Sequence, residues 1–131
     1  MQQKSITVSS ETKNIRKVVL ELVSFVVATA KVDEDDFPLV LSEAVANAMI
    51  HGNKKNPEKK VMAQANINSD KVIVKIADEG EGFDFQNLPD PTKPENFRKC
   101  QGRGLFLIRS FMDDVRFNSS GSEIIMEKHI R

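Results

Sequence analysis

The sequence predicts an α+β domain, with helices on one face of a mixed, mostly antiparallel β-sheet. Three observations predict it. Apolar residues recur at spacings of three and four in segments 15–26 and 37–50. Segments 61–67 and 72–76 alternate apolar and polar residues instead, the period of half-buried strands. The elements follow the order β-α-α-β-β-loop-α-β-β, which suits a two-layer arrangement rather than alternating parallel units.

Each element has its own signal. Ser5-Ile6-Thr7-Val8 is short and β-prone, a first strand. Ser9 and Ser10 offer a helix cap, with Glu11 and Thr12 in the first turn. The helix then presents Ile15, Val18, Val19, Leu22, Val23 and Val26 on one face. Its many valines lower local helix propensity, so packing must stabilise it. The acids within Lys31 to Asp36 suit a second helix start, and Pro38 is tolerated in the first turn. That helix runs from Phe37 to Ile50 and buries Val40, Leu41, Ala44, Val45, Ala48 and Met49. His51-Gly52 supplies its stop, a helix-end cation followed by a glycine.

A polar loop, Asn53 to Lys60, leads to the alternating strand pair, whose hairpin turn is Asn68-Ser69-Asp70. Residues 79–101 are irregular and hold Pro89, Pro91 and Pro94, three of the five prolines. So long a loop in a small domain reads as a lid or binding loop. Gly102 to Phe111 reads as a helix with Leu105, Leu107, Ile108 and Phe111 apolar. Asp114 to Asn118 and Glu123 to Ile130 are the last strands.

Composition bounds the function. The chain has 131 residues, one domain's worth. Lys+Arg and Asp+Glu both count 19, so the net charge is +0. Without a basic excess, dedicated nucleic-acid binding is not expected. The single cysteine, Cys100, excludes an intrachain disulfide and a cysteine-based zinc cluster. The N-terminus lacks a signal pattern, and no apolar run approaches the roughly 20 residues that span a bilayer. The expected setting is the cytoplasm, with no membrane contact.

Three motifs carry chemistry. Four of the six glycines flank the ends of the long loop. In Asp78-Glu79-Gly80-Glu81-Gly82-Phe83, an aspartate ends a buried strand, where its carboxylate can accept a hydrogen bond from an exocyclic amine. The glycines allow close backbone approach to a ligand. In Gln101-Gly102-Arg103-Gly104-Leu105, glycines open a helix whose N-terminal amides, with Arg103, suit phosphate. Neither a dinucleotide-binding glycine pattern nor a phosphate-loop motif occurs in the chain. In Ser42 to Gly52, Glu43 and Asn47 share a helix face and His51 lies one turn on. A carboxylate and a carboxamide so placed can position a hydroxyl and complete a Mg²⁺ shell. Taken singly, each motif has a plainer reading: a strand-ending turn, a flexible linker, a solvated helix face.

Taken together and in this order, they resemble the GHKL ATPase superfamily, and more closely the bacterial anti-sigma factor serine/threonine kinases. The resemblance runs from about Ser5 to Arg131. It is densest in Glu43 to Gly52, Asp78 to Phe83, and Gly102 to Leu105 running on to Val115. It implies a single histidine-kinase-like ATPase domain over 1–131, an α/β sandwich of the Bergerat type, with a nucleotide lid at about 84–101. It implies ATP and Mg²⁺. Glu43 would be the catalytic base and Asn47 the metal ligand. Asp78 would hold the adenine amino group. Gly80, Gly82 and Phe83 would shape the base pocket, with His51 also at the site. Gly102, Arg103, Gly104 and Leu105 would hold the phosphates. The implied partners are a sigma factor, an anti-anti-sigma (STAS-type) protein phosphorylated on serine, and a second copy of the chain. The lid departs from the kinases' Ser- and Thr-rich pattern, being stiffened by Pro89, Pro91 and Pro94. That departure bears on partner identity rather than on the nucleotide site.

Two rival readings remain at this stage. One is a nucleotide-gated binding switch with negligible chemistry, against which the carboxylate of Glu43 argues. The other is the catalytic piece of a histidine kinase. That reading is weak, because the only histidines are His51 and His129 and neither sits on a separate helical hairpin.

Overall fold

A computed structural model describes residues 2–30, 32, 36–80 and 100–130, with side chains from residue 104 onward in the last stretch. Five strands form one sheet: β1 (Gln2–Ser9), β2 (Lys60–Ile67), β3 (Lys71–Ala77), β4 (Asp114–Phe117) and β5 (Glu123–His129). Their order across the sheet is β1-β2-β3-β5-β4, and every described pairing is antiparallel. One register row joins Ile6, Ala63, Ile76, Ile124 and Phe117 on the core face. Period-two alternation sends the residues between them to the opposite face.

Three helices supply the second layer: α1 (Ile15–Thr29), α2 (Asp36–Asn47) and α3 (Cys100–Phe111). α2 packs against both of the others. α1 buries Val18, Val19, Leu22 and Val26, while α2 buries Phe37, Val40, Leu41, Ala44 and Val45. Burying one such side chain contributes about 1.5–3 kcal/mol. These stripes outweigh the poor helix propensity of the valines. The Phe37 and Phe111 rings lie 6.2 Å apart and tilted, tying the start of α2 to the end of α3. Lys128 then donates to the Phe111 carbonyl at 2.8 Å, and its ammonium stands 4.6 Å from the ring centroid. A cation there complements the negative end of α3.

Several boundaries differ from expectation. β1 starts three residues early, because backbone pairing with β2 continues through the polar Gln2, Gln3 and Lys4. The helix predicted after Ser10 begins with a 3₁₀ turn, Thr12–Asn14, and Ser10 does not cap it. Instead Asn14 donates to the Ser9 carbonyl at 3.1 Å and to its hydroxyl at 3.0 Å. Ser10 is buried and bonded elsewhere. α3 begins at Cys100, so the last two residues of the expected lid belong to it. Among the described residues, no helix is long and apolar enough to cross a membrane.

Candidate functional site

α2 places Glu43 and Asn47 one turn apart. The helix does not simply end near Ile50. It widens after Asn47 into a π-helical turn, Ala48–Gly52. The Asn53 N–H donates to the Ala48 carbonyl and the Lys55 N–H to that of Met49, each at 2.8 Å. Lys54 and Lys55 then reverse the chain with φ of 54° and 60°. A left-handed conformation costs a non-glycine residue roughly 1–2 kcal/mol, so the reversal is held by its surroundings. π-Turns recur at functional sites. Here the turn brings Gly52 and Asn53 against the end of β3.

Asp78 follows β3 directly. Its N–H donates to the Ser122 carbonyl at 2.9 Å, and its Oδ1 accepts the Gly80 N–H at 2.8 Å. Between them the Glu79 N–H donates to Asn53 Oδ1 at 2.8 Å. Three successive amides are thus satisfied by three different partners. Burial pushes the Asp78 carboxyl above its ordinary value, opposed by the Gly80 N–H and the Lys59 charge. The glycines here serve close approach. A Cβ on Gly52 would overlap the Asp78 carboxylate, and one on Gly80 would overlap the Gly52 carbonyl.

From the other side α3 brings Gly104 against α2. A Cβ on Gly104 would stand 2.9 Å from Glu43 Oε2 and 3.3 Å from Asn47 Nδ2. The glycine-rich start of α3 therefore lets the helix close on the Glu43–Asn47 pair. Between the two groups lies a cleft. Asn47 and Asp78 line it, and Ala44, Ala48 and Leu105 supply apolar walls. Ile76, Ile124 and Phe117, all from one register row, form part of its lining.

Of the expected site residues, Asn47, Asp78 and Leu105 line this cleft; Gly80 bonds to Asp78 behind it, and Glu43 and Gly104 pack next to Asn47 without lining it. His51 is exposed in the π-turn and is not among the lining residues. Gly102 and Arg103 fall in the first turn of α3, and no side chain is described there. Gly82, Phe83 and residues 84–99 lie outside the described residues.

The sequence reading missed three groups. Phe117, at the end of β4, and Gly121 and Ser122, in the β4–β5 turn, line the cleft, and Ser122 also holds the Asp78 amide. Gly52 is a packing requirement as well as a helix stop. Asn53, 1% exposed, is a hydrogen-bonding hub. A buried-position signal for Asn53 was available only in its neighbour Gly52 and the stop it marks; nothing local marks the strand-turn residues.

Chemically, the cleft joins a half-buried carboxylate suited to an amine and an apolar slot suited to a flat ring, with the Asn47 carboxamide in its lining and the Glu43 carboxylate one helical turn away. Among the described residues no group of three His, Cys, Asp or Glu could hold a metal. Asn47 supplies one oxygen of the kind Mg²⁺ prefers, and a bound phosphate would complete such a shell. The residues present fit a metal carried with a nucleotide rather than one held by protein alone.

Residues 8–128 match the family described as Histidine kinase-like ATPase domain. The chain is 36% identical over 103 residues to the Serine-protein kinase RsbW of Oceanobacillus iheyensis, covering 73% of this chain and 65% of that one. It is 37% identical over 107 residues to the RsbW of Staphylococcus epidermidis, covering 76% and 67%. It is 41% identical over 98 residues to the Anti-sigma F factor of Bacillus subtilis, covering 70% and 66%. The matches thus span about two thirds of these relatives' lengths.

Proposed function

Because the chain belongs to the histidine kinase-like ATPase family, we propose that it is an ATP-dependent protein serine/threonine kinase acting as an anti-sigma factor. It binds a sigma factor and phosphorylates a serine of an anti-anti-sigma (STAS-type) partner. It works in the cytoplasm, as a homodimer. The names of the relatives, serine-protein kinase and anti-sigma factor, support this reading. The single observation that carries it is the packing of Glu43 and Asn47 against Gly104, with Asn47 also lining the cleft that holds Asp78.

In this reading Asp78 accepts a hydrogen bond from the adenine amino group, and Gly80, Gly82 and Phe83 shape the base pocket. Gly102, Arg103, Gly104 and Leu105 meet the phosphates; Gly102 and Arg103 lie in the first turn of α3, where helix amides and dipole favour anions. Residues 84–101 serve as the lid over the nucleotide. Asn47 holds Mg²⁺, which when bound neutralises phosphate charge. Glu43 orients the serine hydroxyl and takes its proton. The serine oxygen forms a bond to the γ-phosphorus, the bond to the β-phosphate oxygen breaks, and ADP leaves. Such transfer depends mostly on positioning and charge neutralisation. A pure binder needs no carboxylate at position 43, which favours chemistry over a binding switch.

Labelled ATP, the chain and candidate STAS-type proteins test the reading directly. Glu43→Gln keeps shape and removes the base. It should leave ATP binding nearly intact and slow phosphorylation roughly 10²–10⁴-fold. Wild-type protein that holds its partner only with ATP, yet phosphorylates nothing, would replace the kinase with a switch.

A further inference from the structure

We infer that Asn53 is a positioning residue for base recognition: its buried amide fixes the Asp78–Gly80 turn and so aims the Asp78 carboxylate. The inference rests on the reading of Asp78 as the adenine-binding group. Asn53 is 1% exposed. Its Nδ2 donates to Ser10 Oγ at 2.6 Å and to the Lys60 carbonyl at 2.9 Å. Its Oδ1 accepts the Glu79 N–H at 2.8 Å. One side chain thus joins the residue after β1, the first residue of β2 and the residue after Asp78. Both amide hydrogens and one acceptor site are used, a pattern that neither Asp nor Ala reproduces in full.

The connection to the carboxylate is short. Glu79 is bonded covalently to Asp78, and its side chain accepts the Lys60 N–H, so Lys60 and Asn53 hold the same residue from two sides. Gly80, next along, donates back to Asp78 Oδ1. Without the Asn53 acceptor the middle amide of the turn loses its partner. Among the described residues, the turn then keeps the Ser122 bond, the bond within itself and the Lys60–Glu79 contact. The π-turn and the strained Lys54–Lys55 reversal are the means by which the chain delivers this amide inward.

A carboxylate held in place by Asn53 has a consequence that a purely structural tie lacks. A fixed carboxylate accepts from an amino group and repels a carbonyl oxygen, so it should favour ATP, with its 6-amino group, over GTP, with its 6-carbonyl. A carboxylate that wanders loses that discrimination. A tie that served stability alone would lower the melting temperature and leave the ratio of affinities unchanged.

The experiment measures ATP and GTP affinities by calorimetry, with melting temperatures, on the full chain and four variants. Asn53→Ala should lower the ATP-over-GTP ratio about tenfold. Asn53→Asp keeps an acceptor for Glu79 and loses the donors, so it should melt lower and lower the ratio only about two- to threefold, as Ser10→Ala does. Ser10→Ala releases one Nδ2 bond and should lower the ratio about two- to threefold. An Asn53→Ala protein that melts lower with its ratio intact overturns the inference. If that variant does not fold, an unchanged ratio in Ser10→Ala, or a lost ratio in Asn53→Asp, overturns it instead. Asp78→Asn separates the two levels. If it leaves the ratio unchanged, the adenine reading itself falls. If it lowers the ratio while the Asn53 and Ser10 variants do not, only the positioning role falls.

Discussion

Gly104 of α3 leaves no room for a side chain beside Glu43 of α2: its Cβ would lie 2.9 Å from Glu43 Oε2. The obstacle is the far end of a flexible side chain rather than backbone, so the carboxylate would yield and the helix would not.

That asymmetry gives the first prediction. Gly104→Ala should fold, because alanine gains up to about 1 kcal/mol of helix propensity. With Glu43 as the proposed base, its displaced carboxylate should slow phosphoryl transfer about 10–100-fold, since misplacing a catalytic group by about 1 Å is enough for such losses. Thermal melting and transfer from labelled ATP check the two halves. Wild-type transfer rates would show that the contact does not govern Glu43.

Asp78 gives the second. Its carboxyl is raised by burial, so the folded chain holds that proton more readily than the unfolded chain. Above its raised value the Asp78 charge costs stability, and the cost disappears as pH falls below the ordinary carboxylate range. Asp78→Asn should therefore stabilise the fold at pH 7 by less than about 1 kcal/mol, because the group keeps solvent contact. The gain should vanish in acid. The same variant should weaken ATP by about 1.5–3 kcal/mol, roughly 10–100-fold. Denaturant melts at several pH values and calorimetry together measure this opposition of stability and binding. Unchanged ATP affinity in a folded variant would remove adenine recognition from Asp78.

On the sheet face away from the helices, Glu127 behaves in the opposite sense. Its carboxylate accepts from Lys71 Nζ at 2.9 Å and from Arg116 Nη2 at 2.6 Å. The Lys71 hydrogen bond, and then the Lys71 and Arg116 charges, hold its carboxyl below the usual range. Asp113 is lowered too, chiefly by the His129 N–H. These contributions are present above the unfolded carboxylate pKa and are lost as pH falls through the depressed values. Glu127→Gln should cost about 0.5–1 kcal/mol at pH 7 and flatten the acid limb of the stability curve. An unaltered acid limb would mean that the pair with Lys71 contributes nothing measurable.

The local sequence dictates the elements and their buried faces. The spacing of Val18, Leu22 and Val26, and of Val40, Leu41, Ala44 and Val45, requires helices with one apolar side. The alternation of Val61, Ala63, Ala65 and Ile67 requires a strand. It also brought Glu43 and Asn47 onto one helix face, and set Asp78 at a strand end, because those relations are local.

What meets across chain distance depends on how the segments pack. No local pattern shows that Gly52 must clear the Asp78 carboxylate, or that Gly104 must clear Glu43. Ser10 read as a helix cap, since serine before a helix commonly is one. In the fold its hydroxyl serves Asn53, 43 residues away. Asn53 itself read as the start of a polar loop, because asparagine after a helix end is ordinary turn composition. Its burial depends on a π-turn and two left-handed lysines, conformations that these residues do not prefer and that only the surrounding packing imposes. Propensity and periodicity report on neighbours within a turn or two. Close approach and shared hydrogen bonds are set where distant segments are pressed together, and there the physical reason lies in the packing.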